Sequence, residues 1–152
     1  MKIELAKSEV IHFVGIGGIG MSGLSMIMKR KVFKVQGSDI SNNKNINRIR
    51  KEKIKVYVGH KKKNISKATI LVVSSAIKQN NPELIEAKSK GLPIYKRGEM
   101  LANIVSLSKN IVVVGSHGKT TTTSLIASIF QNTKIDPTII NGGVINSVSY
   151  TH

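Results

Sequence analysis

Residues 10–24 read VIHFVGIGGIGMSGL, and the fold is legible from this stretch outward. A short apolar run ends at Gly15, and a helical period follows that sets Met21, Leu24, Ile27 and Met28 on one face. Strand, glycine turn and helix in that order open a βαβ unit. The alternation continues downstream. The pattern predicts a second strand at 32–37, a basic helix at 43–53 with Ile46 and Ile49 inward, and a short strand at 56–58. The run ILVV at 70–73 suits a strand buried on both faces. Asn81 caps and Pro82 opens a helix that runs to about residue 90, where Gly91 stops it. A strand at 94–95 and a helix over about 98–105 complete the series.

This spacing predicts an α/β fold, a Rossmann-like parallel sheet covered by helices on both faces. Near residues 107–109 the pattern restarts, with a strand at 111–114 and a helix at 119–131 whose Leu125, Ile126, Ile129 and Phe130 face a core. A strand at 138–141 follows and ends at Gly142-Gly143. Two domains are expected: 1–106, nearly complete, and 107–152, the opening strand–loop–helix–strand of a second α/β domain. The second is too short to enclose a core.

Composition narrows the classes. The 152 residues carry 24 Lys+Arg against 8 Asp+Glu, a formal charge of +16. That excess invites a polyanionic partner. The 22 isoleucines, 20 lysines and 12 asparagines, however, are what an A/T-rich genome imposes, and we assign most of the charge to composition. Aromatic residues are only 4%, too few for a stacking platform, so no nucleic-acid partner is expected. The absence of cysteine excludes a disulfide framework, a thiolate metal site and a cysteine nucleophile. The four histidines are scattered and do not read as a zinc site. No apolar run approaches the ~18 residues of a membrane span, and Glu4, Lys7, Ser8 and Glu9 interrupt the place of a signal sequence. The expectation is a soluble cytoplasmic protein without a membrane partner.

Two glycine loops carry the chemistry. In the first, Gly15, Gly17 and Gly20 fit G-x-G-x-x-G after a strand and before a helix. Gly15 permits the tight turn, Gly17 lets backbone approach a diphosphate, and Gly20 lets the helix pack on its strand. The helix N-terminus then offers N–H groups and partial positive charge to the anion. Asp39, at the end of the second strand, is placed to accept hydrogen bonds from ribose hydroxyls or a base edge. The motif alone does not separate a UDP-sugar from NAD. In the second loop, Gly115-Ser116-His117-Gly118-Lys119-Thr120 forms a shortened phosphate loop, G-x-x-G-K-T. Its backbone N–H groups would cradle the phosphates of ATP, Lys119 would reach the β/γ oxygens, and the Thr120 hydroxyl would ligate Mg²⁺. The full pattern would place a further glycine at the position of Val113.

In chain order, IHFVGIGGIGMSGL at 11–24, QGSD at 36–39, VGH at 58–60, VVSSAI at 72–77, RGEML at 97–101 and GSHGKTTTTSLI at 115–126 together resemble the Mur ligases. These are the ATP-dependent, amide-forming enzymes that build the peptidoglycan stem peptide. The stretch 15–24 is most similar to the branch that joins L-alanine to UDP-N-acetylmuramate. The resemblance implies a UDP-sugar domain followed by an ATP domain. Gly17, Gly18, Ile19 and Gly20 would hold the UDP diphosphate, and Asp39 would contact the uridine. His60, Ser74 and Ser75 would line the same crevice. Gly115, Ser116, Gly118, Lys119, Thr120 and Thr121 would bind ATP, with Mg²⁺ on Thr120 and His117 beside the phosphates. Lys119, Thr120 and His117 would serve the reaction, in which the muramate carboxylate becomes an acyl phosphate that the alanine amine displaces.

The resemblance also implies about three domains, so these 152 residues are expected to be an N-terminal fragment that does not catalyse alone, any remaining domains lying on a separate chain. An NAD(P)-binding oxidoreductase domain and a non-functional remnant of a ligase gene are the competing readings. His12 reads as a satisfied core residue, the Met21/Leu24/Met28 stripe as helix core, and residues 61–63 as a solvated basic loop. His60 reads equally as a loop polar residue or a substrate contact.

Overall fold

The computed structural model describes residues 5–130, 133–141 and 144–147. The chain divides into two compact units, Met1–Ser108 and Lys109–His152.

The first unit is built on five parallel strands: β1 (Val10–Val14), β2 (Lys34–Asp39), β3 (Lys55–Val58), β4 (Ile70–Val73) and β5 (Ile94–Lys96). Their order across the sheet is β3-β2-β1-β4-β5. Helices α1 (Ile19–Arg30), α2 (Lys44–Lys51) and α3 (Pro82–Ser89) make three of the crossovers, the segment with a 3₁₀ turn at Lys62–Ile65 joins β3 to β4, and α4 (Arg97–Ser106) follows β5. Strands β2 and β3 step away from β1 on one side, and β4 and β5 on the other. The sheet therefore reverses between β1 and β4, which opens a crevice beyond their C-terminal ends.

Alternation along the strands divides the core in two. Ile11, Phe13, Val35 and Val72 point to one face, while His12, Val14, Gln36, Ser38 and Leu71 point to the other. Val14 and Leu71 join Ile65, Ala68 and Ala87 in one hydrophobic cluster. Gly37 marks the tightest contact on the opposite face. A Cβ there would stand 2.6 Å from Ile16 Cδ1 and 2.7 Å from the Phe13 carbonyl oxygen.

Helix α1 differs from its expected single apolar face, because every residue from Met21 to Met28 is buried. It packs against α2 and α4 as well as β2. Small residues on its second side, Ser22, Gly23 and Ser25, permit that approach. The two hydroxyls return to the helix, bonding the carbonyls of Ile19 (3.0 Å) and Ser22 (2.7 Å). The second strand starts later than 32–37 because Val32 has a φ of 70° and belongs to the turn. Helix α3 forms where its cap predicts, with Asn81 accepting from Glu83 and Leu84 N–H. In α2 Asn43 is the cap, accepting from Ile46 N–H, and the helix ends at Lys51 rather than at 53, where Lys53 has a φ of 57°.

The second unit holds α5 (Lys119–Phe130) and an antiparallel pair, β6 (Thr138–Asn141) with β7 (Val144–Ser147). Two expectations are corrected here. Residues 111–114 form no strand, and Ile111, Val112 and Val114 are 63%, 68% and 83% exposed. An apolar run becomes a strand only when a neighbour takes its backbone hydrogen bonds, and none among the described residues does. Nor do Leu125, Ile126, Ile129 and Phe130 face a core. Helix α5 buries no residue: Leu125 and Ile129 lie open, and Ile126 and Phe130 are only half-buried. The pairing of β6 with β7 has no counterpart in the sequence reading. Gln131 and Gly142-Gly143, the expected helix and strand ends, lie outside the described residues. Among the described residues no helix is long and apolar enough to cross a membrane.

Candidate functional site

The loop after β1 closes over the crevice because Gly15 takes a φ of 81°. A Cβ at Gly15 would stand 3.2 Å from Ser74 Cβ and 3.3 Å from Ile77 Cδ1, so the loop lies directly on the end of β4. From the other side β2 latches it. Gly15 and Ile16 both donate their N–H to the Ser38 carbonyl (2.9 and 3.0 Å). Gly17 N–H donates to Asp39 Oδ2 at 2.8 Å, and the Gly17 carbonyl accepts from Asn45 Nδ2 (2.8 Å) and Asn43 Nδ2 (3.3 Å).

This latch redistributes the expected roles. Gly17 spends its N–H on Asp39, and Gly18 N–H reaches the Gly15 carbonyl at 3.3 Å. The N–H groups of Ile19, Gly20 and Met21, which open α1, meet no acceptor among the described residues. Asp39 is engaged at both oxygens, because Ser41 N–H and Ser41 Oγ each reach Oδ1 at 3.0 Å. Ser74 is half-buried against Gly15, and Ser75 is exposed one residue further on.

Gly20 makes room for a side chain rather than for a strand, whereas Gly37 lets the glycine loop, through Ile16, lie close on β2. A Cβ at Gly20 would stand 2.7 Å from Nη1 of Arg97 and 3.1 Å from its Cζ. The guanidinium therefore lies against the first turn of α1, which contains no acidic residue. Among the described residues the Arg97 guanidinium has no hydrogen-bond or ion-pair partner. In the sequence Arg97 stands within the RGEML motif, with no site role expected of it. Its signal was faint, a basic residue opening a helix whose N-terminal end already carries positive charge.

Behind the crevice lies a buried polar cluster that the sequence reading missed. Glu83, wholly buried in the first turn of α3, accepts at Oε2 from Ser38 Oγ (2.5 Å), His60 Nδ1 (3.2 Å) and His12 Nε2 (3.4 Å). At Oε1 it accepts from Asn64 Nδ2 (2.5 Å) and Lys61 N–H (3.4 Å). Burial pushes its carboxyl up, but the bonds from His12, Ser38 and Asn64 outweigh that and hold it at about 2. Gln36 completes the cluster. Its Nε2 donates to the Asn64 carbonyl at 3.0 Å, which fixes the amide's orientation, and also meets His12 Nδ1 at 3.1 Å. His12 Nδ1 is thus an acceptor and Nε2 carries the proton toward Glu83. No sequence pattern announced this arrangement, because its members come from β1, β2, the 3₁₀ turn and α3.

In the second unit, Gly118 has a φ of 75° and Lys119 turns back over the loop. Its ammonium bonds the carbonyls of Gly115 (2.6 Å) and Ser116 (3.2 Å). The N–H groups of Ser116, His117 and Gly118 meet no acceptor among the described residues, and these residues, Thr120 and Thr121 are exposed. Free amides, one unused ammonium proton and a free hydroxyl form a donor set that suits a polyphosphate with its cation. Among the described residues no group of three or more His, Asp or Glu could hold a metal ion by itself.

The first unit's fold and crevice have counterparts. Residues 10–109 match the model of the Mur ligase family, catalytic domain. The chain belongs to the Mur ligase family. It is 77% identical over 148 residues to a UDP-N-acetylmuramate–L-alanine ligase of Pelagibacter ubique, covering 97% of this chain and 32% of the relative. It is 50% identical to the ligase of the same name from Brucella ovis, covering 31% of that protein. The chain thus spans about a third of the length of the curated relatives it matches. Among solved structures, a UDP-N-acetylmuramate-alanine ligase from Thermotoga maritima superposes with a TM-score of 0.75 at 32% identity, over 84% of this chain and 30% of that one. The Mur ligase match contains the first glycine loop, Asp39, His60, Ser74, Glu83 and Arg97. The phosphate-type loop at 115–120 lies beyond it.

Proposed function

We propose that this chain is the UDP-N-acetylmuramate-binding and ATP-binding part of a UDP-N-acetylmuramate–L-alanine ligase of peptidoglycan synthesis, working in the cytoplasm. The observation that carries the reading is Arg97. A guanidinium without a partner, laid against the positive end of α1, is unfavourable unless an anion sits between them. A sugar-nucleotide diphosphate supplies that anion. It would take the N–H groups of Ile19, Gly20 and Met21 and the Arg97 guanidinium, with Gly15, Gly17 and Gly18 shaping the loop. The uridine would lie toward Asp39 and His60, where Ile40 and Val58 are exposed at the ends of β2 and β3. Ser74 and Ser75 would line the far wall.

ATP would be held at Gly115, Ser116, His117, Gly118, Lys119, Thr120 and Thr121. Mg²⁺ on Thr120 would neutralise phosphate charge, with Lys119 completing that task from the loop. Ligation itself would proceed by acyl-phosphate formation on the muramate carboxylate and capture by L-alanine. That chemistry draws on parts of the relatives outside the third this chain covers, so the 152 residues alone are expected to bind without turnover.

Calorimetric titration tests the reading. UDP-N-acetylmuramate should bind and raise the melting temperature, whereas NAD should do neither. Arg97→Gln should weaken UDP-N-acetylmuramate by about ten- to a hundredfold, the worth of a charge-assisted hydrogen bond, without lowering the melting temperature of the free protein. Binding of NAD in place of the UDP-sugar would refute the proposal. Phosphate release from Mg·ATP with both other substrates would refute the expected inactivity.

A further inference from the structure

The hydrogen-bond directions around Glu83 determine which nitrogen of His60 carries its proton. Ser38 has one hydroxyl proton, and at 2.5 Å that proton points to Glu83 Oε2. Ser38 Oγ can then only accept from His60 Nδ1, 3.0 Å away, and so can the ionised Glu83 carboxylate at 3.2 Å. Both neighbours of Nδ1 are acceptors, so Nδ1 bears the hydrogen. The other ring nitrogen, Nε2, has no partner among the described residues and is not sealed from solvent. In neutral imidazole it presents a lone pair. His12, on the same carboxylate, is held in the opposite tautomer by Gln36.

The location of that lone pair matters. Gly59 N–H donates to the Asp39 carbonyl at 2.7 Å, which brings the end of β3 beside the end of β2. Ser38, whose hydroxyl meets the His60 ring, gives its carbonyl to the N–H groups of Gly15 and Ile16. One residue therefore joins the imidazole to the glycine loop. We propose that Glu83 is a positioning residue, fixing His60 as the Nδ1–H tautomer so that Nε2 accepts a hydrogen bond from a hydroxyl or imide N–H of the ligand in the crevice. The ligand half of this inference rests on the crevice being the UDP-sugar site; the tautomer half does not.

The test reads the side-chain nitrogens of His60 by ¹⁵N NMR in the whole chain above pH 7.5, with UDP as the probe. The unaltered protein should show Nδ1 protonated and Nε2 bare, and UDP should shift the Nε2 resonance. Glu83→Gln puts an amide among those donors. It should move His60 toward the Nε2–H tautomer and weaken UDP by about three- to tenfold, the range of one neutral hydrogen bond. Ser38→Ala leaves the carboxylate facing Nδ1, so it should retain the tautomer and bind UDP within about twofold. Finding Nε2 protonated in the unaltered protein overturns the inference without any variant having to fold. So does a folded Glu83→Gln protein with unchanged tautomer and affinity, which is what a purely structural cluster would give. UDP that binds without moving Nε2 overturns this inference alone. Failure of the unaltered protein to bind UDP overturns the UDP-sugar reading, and with it the ligand half.

Discussion

Glu83 shows how one side chain can set the acid stability of a domain. Its carboxylate has no exposed surface and is ringed by five donors: Ser38, His12, His60, Asn64 and the Lys61 amide. Burial alone would raise its pKa, yet the bonds from His12, Ser38 and Asn64 bring it from the ordinary 4.5 down to about 2. The unfolded chain therefore takes up this proton near pH 4.5, while the folded protein resists until about 2. Over that interval the unfolded state binds more protons, so stability falls as the pH is lowered. The shift corresponds to roughly 3 kcal/mol at most, present in full above about pH 5.5 and lost toward pH 2. Urea unfolding of the native protein and of Glu83→Gln at a series of pH values checks this. The two stabilities should converge as the pH falls from 5.5. A gap that stays constant down to pH 3 would show that Glu83 is not the titrating group.

Helix α3 delivers that carboxylate, and its start is a local event. Asn81 Oδ1 accepts from the N–H groups of Glu83 (2.9 Å) and Leu84 (3.3 Å), and Pro82 presets the first turn. Helix α2 begins the same way at Asn43, but that cap is exposed whereas Asn81 is buried. Asn81→Ala is expected to cost about 1–2 kcal/mol and Asn43→Ala about half of that, in the usual range for lost caps. Denaturant midpoints measure both, and equal losses would show that burial of the Asn81 cap adds nothing. Helix α3 was legible in the sequence because a cap, a proline and an apolar spacing act within a few residues of one another, and α2 because Ile46 and Ile49 share one face. Residues 111–114 were misread for the opposite reason. Their apolarity is local, but strand formation depends on a neighbour the spacing does not supply. The glycines divide in the same way. The turn at Gly15 follows from its own backbone, whereas what Gly20 and Gly37 make room for, Arg97 and Ile16, depends on elements brought from elsewhere. Arg97 and Glu83 escaped notice on those grounds, as their meaning lies in what the fold sets beside them.

Across the whole molecule the two units differ in how their helices are held. In the first, Ile11, Phe13, Val14, Leu71 and Met28 are completely removed from solvent, and α1 is buried along most of its length. Amides of β1, β4 and α1 can then exchange only when this unit opens as a whole, at a cost of the order of 5–15 kcal/mol. Helix α5 spans twelve residues and buries none of them. A helix of that length that buries no residue is marginal in water. Its amides are expected to exchange at least about a hundredfold faster than those of β1 and β4, in a separate and earlier phase. Hydrogen exchange read by mass spectrometry resolves the two phases. Mg·ATP should slow exchange at 115–123 without altering β1 or β4, because the ligand would occupy the free amides of Ser116–Gly118 and the first turn of α5. Protection of α5 equal to that of β1 in the free protein would mean that its apolar side chains are covered after all. No slowing with Mg·ATP would remove the phosphate role from Lys119 and Thr120.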